Sequence, residues 1–191
     1  MKYKNWIIGG GIILLLVIIY VNKYNKVIKL EQEIKGQWAK VESAYQRRLD
    51  LIPNLVNTVK GYADFEKSTL TQVIEARAKA TSVNVDPSKL TAANIQKFQQ
   101  TQDALSGALS RLMVVVEKYP ELKANQNFLE LQAQLEGTEN RIKVERDRYS
   151  SAVQKYNAFV SYFPQNILFH KEEKGFFTAD EQASKAPEVK F

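Results

Sequence analysis

Along most of the chain, apolar residues recur in steps of three and four, the spacing that lines one face of an α-helix. From Tyr24 onward, Leu30, Ile34, Trp38, Val41, Tyr45 and Leu49 form one such stripe. Leu55, Val59, Tyr62, Val73, Ala76 and Ala80 keep a similar phase beyond Pro53, with Glu66 breaking it. Thr81 to Ser88 (TSVNVDPS) has the composition of a loop, and Thr91 is placed to cap the helix after it. Ile95, Phe98, Gln102, Leu105, Leu109, Leu112, Val116 and Tyr119 then alternate steps of three and four, a heptad seam of the coiled-coil kind. Pro120 stops that helix. Asn125 or Asn127 can cap a last one, whose face runs Phe128, Leu131, Leu135, Thr138, Ile142, Glu145, Tyr149, Ala152, Tyr156, Phe159 and Phe163 before Pro164 ends it.

Pro53 leaves two arrangements open. Inside one continuous helix it would remove a hydrogen bond and crowd the carbonyl of Leu49, at a cost of ~3 kcal/mol. With Asp50 as N-cap it falls instead in a first turn, where backbone N–H groups have no helical partner anyway. The turn predicts an all-α fold, an elongated up-and-down four-helix bundle with helices at about 24–49, 51–80, 91–118 and 126–163. Against it, the apolar phase continues through 49, 52, 56 and 59 and no glycine closes the first helix, which favours a kinked rod with three helices. In the four-helix case Gly36, Gly61, Gly107 and Gly137 fall near one level and are expected to leave room for the rings of Trp38 and Tyr62.

The N-terminus reads differently. Trp6 to Val21 (WIIGGGIILLLVIIYV) lacks any charged or strongly polar side chain, which predicts a transmembrane anchor over residues 1–23. At about 1.5 Å per residue the run covers only ~24 Å of a ~30 Å hydrocarbon core. Tyr3, Trp6, Tyr20 and Tyr24 suit the two interfaces, and Lys4 and Lys23 can extend to the headgroups. No small-x-small cleavage site follows, so an uncleaved anchor is expected rather than a signal peptide. The chain carries a formal +6, yet seven lysines against two glutamates put +5 of it in residues 1–40. Basicity that flanks an apolar run, without stacking aromatics, points to anionic headgroups at Lys2, Lys4, Lys23, Lys26 and Lys29 and not to nucleic acid. Five lysines follow the span closely and two precede it, so the positive-inside bias places the body in the cytoplasm, on a single-pass protein of the cell (inner) membrane.

Several stretches together resemble the LemA family of bacterial membrane proteins: RRLDLIPNLVNTVKGYADFE (47–66), EARAKA (75–80), EKYPELKANQNFLELQAQLEGTENRIKVERDRY (117–149), YNAFVSYFPQNIL (156–168) and KAPEVKF (185–191). The resemblance covers nearly the whole chain. It implies an N-terminal transmembrane helix with a short outside tail and a helical-bundle body, and it assigns no molecular function. The glycine-phenylalanine tract usual after the FP motif is altered, reading NILFHKEEKGFF, within an irregular tail over 164–191.

No catalytic constellation is legible. Cysteine is absent, and the one histidine, His170, has no second histidine to join it as a ligand. No G-x-S-x-G nucleophile motif occurs, and no cofactor or metal is expected. Glu145 and Glu66 interrupt apolar stripes and read as seam-edge carboxylates paired to a neighbour such as Arg141 or reaching solvent. The four-helix reading gathers Arg47, Arg48, Asp50, Asn54, Glu121, Lys123, Asn125 and Asn127 into a polar crown at the distal tip, either plain capping and turn chemistry or a docking site. The function expected is that of a non-enzymatic, membrane-anchored interaction or scaffold protein, whose partner is another membrane or membrane-associated protein. The alternative is a membrane-surface protein that senses or shapes anionic lipid through its lysine-rich neck and the aromatic pair Phe176-Phe177.

Overall fold

The structure, a computed structural model, describes residues 2–62 and 66–178. The first element, α1 (Lys2–Lys60), is one helix of 59 residues. Its N-terminal part is long and apolar enough to cross a membrane, and none of that part is buried against the body. The rest of α1 is the first member of the bundle. It is followed by α2 (Lys67–Ser82), α3 (Ala92–Val116), the single turn α4 (Pro120–Lys123), α5 (Gln126–Ser161) and the short α6 (Gln165–Phe169).

Helix α1 passes through Pro53 without ending, so the break expected at 49–53 is corrected: the turn follows Lys60, and Asp50 is not an N-cap. Its carboxylate instead accepts from Gln46 Nε2 at 2.7 Å, one helical turn back. The physical reason lies on another helix. Proline at 53 leaves the Leu49 carbonyl without its helical donor, and Arg77 Nε of α2 donates to that carbonyl at 2.9 Å. A tertiary hydrogen bond thus replaces the missing local one. The apolar phase that runs unbroken through Leu49, Ile52, Val56 and Val59 stays on the buried face.

The four-helix arrangement survives this shift, built from the C-terminal part of α1 with α2, α3 and α5. Helix α5 runs antiparallel along α1, tied by Tyr156 to Glu31 at one end and by Glu139 to Arg48 nearer the other. Helix α2 packs on α3. Two of the anticipated caps are present: Thr91 Oγ1 accepts from Asn94 N–H, and Asn125 Oδ1 accepts from Phe128 N–H. The glycine layer is not. A Cβ at Gly36, Gly107 or Gly137 would meet nothing within 4 Å, and Gly61 lies beyond the end of α1. Trp38 is enclosed by aromatic rings instead, Phe98 and Tyr149 edge-on at 5.2 and 5.3 Å.

Its third neighbour comes from the tail. Residues 170–178 have no regular structure, yet they lie as a strap across the half of the bundle nearer the apolar run. Asn157 holds Lys174 through both its N–H and its carbonyl, Gly175 N–H donates to Leu90 O, and Tyr149 OH donates to Gly175 O. A Cβ on Gly175 would fall 2.6 Å from Ala92 Cα, so only glycine allows this approach. Phe177 then stacks on Trp38, 6.2 Å between centroids. This corrects the expectation that Phe176-Phe177 meets lipid as a pair: Phe177 is buried and only Phe176 is exposed.

Candidate functional site

The core divides into two apolar clusters. The one nearer the apolar run reaches Tyr45 on α1, Phe98 on α3 and Ile142 on α5; the distal one begins at Leu49, Leu105 and Leu135 on the same helices. Between them sits Arg48, 1% exposed. Its Nη1 donates to Ser106 Oγ and to Glu139 Oε1, each at 2.6 Å, and its Nη2 donates to Gln102 Oε1 at 2.6 Å and to Gln102 O at 3.2 Å. The guanidinium also lies 5.1 Å from the centroid of the Tyr45 ring. A buried cation is tolerated only when paired and hydrogen-bonded, and this one is both.

Arg48 is therefore no part of a tip. Glu139, its partner, lies thirteen residues into α5 from Gln126, about 20 Å along the helix at 1.5 Å per residue. The expected crown is split accordingly. Arg47, Asp50 and Asn54 are exposed on α1 well before its end, whereas Glu121, Lys123, Asn125 and Asn127 do sit at the distal end. There Asn125 Nδ2 donates to Tyr62 OH at 3.1 Å, and Lys123 pairs with Glu117. These contacts close the turn between α3 and α5. Among the neck lysines, Lys4, Lys23, Lys26 and Lys29 are exposed, and the side chain of Lys2 lies outside the described residues. Lys26 and Lys23 also lie over the ring of Phe159, at 4.7 and 5.8 Å.

A second buried charge lies on α5. Glu145 is 0% exposed and receives Arg141 Nε at 2.8 Å and Arg148 Nη1 at 3.0 Å. The pairing with Arg141 is as expected; an outlet to solvent is not found. Glu66 is exposed and accepts from Ser68 Oγ at 2.7 Å. His170 is exposed at the end of α6. No group of His, Asp and Glu that could hold a metal occurs among the described residues.

One open groove combines space with unneutralised charge. It lies between α1 and α5, about 720 Å³ in volume, lined by the small residues Ala39, Ser43 and Gly137 and by the cations Lys40, Arg47 and Arg141. Arg141 is engaged by Glu145. Lys40 and Arg47 are exposed and form no ion pair among the described residues. The sequence carries a signal for it: Ala39, Ser43 and Arg47 are spaced four apart on the face of α1 beside the apolar stripe.

Known proteins resemble this chain over most of its length. Protein LemA of Metamycoplasma hominis is 24% identical over 153 residues, 80% of this chain and 66% of its own length. Magnetosome protein MamQ 1 of Paramagnetospirillum magneticum is 24% identical over 164 residues, 76% of this chain and 60% of its own length. Magnetosome protein MamQ of Magnetospirillum gryphiswaldense is 21% identical over 165 residues with the same coverages. The chain thus matches less than two thirds of the length of these relatives. The LemA family model matches residues 37–191, most of the chain and all of the body from Gln37 onward, and this protein belongs to the LemA family.

Proposed function

We propose that this LemA-type protein is a non-enzymatic, membrane-anchored interaction protein that docks an acidic segment of another membrane or membrane-associated protein in the α1–α5 groove. What supports the reading is Lys40 and Arg47, exposed beside a small-residue floor and without acidic partners among the described residues. Unneutralised cations at a rim steer and select a partner of opposite charge. The anchor is Trp6 to Val21 as a single span of the cell (inner) membrane, with the body cytoplasmic by the lysine excess that follows the span.

Lys40→Glu with Arg47→Glu tests this in native membranes by crosslinking and mass spectrometry. Both side chains are exposed, so melting should stay within about 0.5 kcal/mol of wild type. A crosslink to an acidic peptide of a specific partner should disappear. Retention of every wild-type crosslink by the double variant would remove the groove from the account. The second reading, anionic-lipid sensing by the neck, draws on the exposure of Lys23 and Lys26 just past the apolar run. Lys23→Gln with Lys26→Gln separates the two, because it leaves the groove intact.

A further inference from the structure

The apolar stripe of α5 is buried without interruption from Phe128 to Phe159 apart from a half-buried Leu131, and then it fails. Phe163, its next member, is 78% exposed, and Tyr162, Ile167 and Leu168 are 66%, 58% and 47% exposed. Four large apolar side chains within seven residues face outward at the elbow between α5 and α6. Elsewhere on the described body, large exposed hydrophobics other than Phe176 occur singly, as Ile74, Val114, Leu129 and Val144. Scattered single residues need no explanation, but a contiguous patch marks a surface that something covers.

The position of the patch says what covers it. Phe169, next to Leu168, packs its ring against Tyr20 and Tyr24, with centroids 5.6 and 6.0 Å apart. Those tyrosines stand where the apolar run of α1 ends, so the elbow is fixed at the level at which that helix would leave the hydrocarbon. The elbow is also a defined structure: Asn166 N–H donates to Tyr162 O at 3.0 Å, and Leu168 N–H donates to Pro164 O at 3.1 Å. Cations surround it. Lys23 and Lys26 lie over Phe159 one turn away, and Lys171 pairs with Glu31 just beyond. Aromatic and aliphatic side chains framed by lysines form the composition that partitions into the headgroup and acyl boundary. The patch also adds apolar surface at the end of a span that, at ~24 Å, is short for a ~30 Å core.

We infer that the α5–α6 elbow is a membrane-seating surface. Tyr162, Phe163, Ile167 and Leu168 enter the interface of the leaflet from which α1 emerges, and the bundle rests on the bilayer instead of standing off on a free stalk. The inference depends on Trp6 to Val21 spanning the membrane, and its test reports on that separately.

The chain has no cysteine, so single cysteines carry a dye without background. The full-length protein is labelled with an environment-sensitive fluorophore at Phe163→Cys, Ile167→Cys, Leu15→Cys or Val114→Cys. Each is reconstituted into vesicles of phosphatidylcholine or of phosphatidylcholine with phosphatidylglycerol, with and without a shallow nitroxide lipid. Dyes at 163 and 167 should be blue-shifted and quenched by the nitroxide, whereas the dye at 114, on the distal part of α3, should emit as in water. Blue-shifted emission at 15 with water-like emission at 163 and 167 overturns the seating surface and leaves the span standing. Blue-shifted emission at 163 and 167 without quenching overturns it in favour of a protein cover, such as a second copy of the chain. Water-like emission at 15 as well overturns both. Tyr162→Cys and Leu168→Cys repeat the measurement from the same patch should either first label disturb the helical circular dichroism.

Discussion

Arg48→Ala should destabilise the bundle by about 3–4 kcal/mol, although its neighbour Arg47 can be removed at almost no cost. Arg48 donates four hydrogen bonds from a buried guanidinium, two of them to Gln102, whose side chain is itself buried. Truncation leaves those acceptors without donors at about 1–3 kcal/mol together, and it opens a cavity between the two apolar clusters. Glu139 adds little. It is 43% exposed, so water can replace the guanidinium there, and its share stays below about 1 kcal/mol. For a body of this size each kcal/mol moves the midpoint by about 2–4 °C, so thermal unfolding of the detergent-solubilised full chain, followed by far-UV circular dichroism, should show a loss of roughly 6–16 °C. Arg47→Ala should stay within about 0.5 kcal/mol. Arg48→Met with Gln102→Leu should recover most of the loss, since replacing a buried polar pair by apolar groups of similar volume is often neutral or better. If Arg48→Ala melts together with Arg47→Ala, the polar layer does not hold these helices.

Other contacts give three further outcomes. Arg77→Ala should cost about 1–2 kcal/mol in wild type by leaving the Leu49 carbonyl unpaired, and clearly less in a Pro53→Ala background, where the backbone at position 53 regains an N–H that can donate to it; equal costs in the two backgrounds would refute the compensation. Gly175→Ala should unseat the strap, because its Cβ has no room beside Ala92, and Trp38 fluorescence should change as Phe177 leaves it; an unchanged emission spectrum would show that the strap does not cover Trp38. Burial raises Tyr45, Tyr149 and Tyr156 above the ordinary tyrosine value of about 10. Above pH ~10 the unfolded chain loses these protons while the folded one keeps them, so stability is full below that pH and falls as the pH rises through it. Melting should therefore decline on the alkaline side. Titration of all nine tyrosines together, in the ordinary range and without unfolding, would contradict this.

The stripes of α3 and α5 are legible in the sequence because each position answers to a local period, and Ile95 through Val116 and Phe128 through Phe159 pack as that period requires. Pro53 is not, because its compensation is tertiary: Arg77 is 28 residues from Leu49, and no local pattern announces a guanidinium aimed at a backbone carbonyl. Arg48 is a different case. Val41, Tyr45, Arg48, Ile52, Leu55 and Val59 alternate steps of four and three, so the phase places Arg48 in the core, whereas its charge alone suggests surface. Gln102, a polar residue in an otherwise apolar seam, is the complementary signal. The strap of residues 170–178 has no period to read, since it is held by side-chain bonds to its backbone from Asn157, Tyr149 and Gln99.

The claim that the α1–α5 groove is where a partner binds is tested most directly by photo-crosslinking from inside it. A photoreactive residue at Ser43 in the full chain, in native membranes, should give a specific adduct whose crosslinked peptide is acidic, and Lys40→Glu with Arg47→Glu should abolish it. The same residue at Lys123, on the distal end, should give no such adduct. An adduct from Lys123 alone, or one from Ser43 that survives charge reversal, would contradict the account.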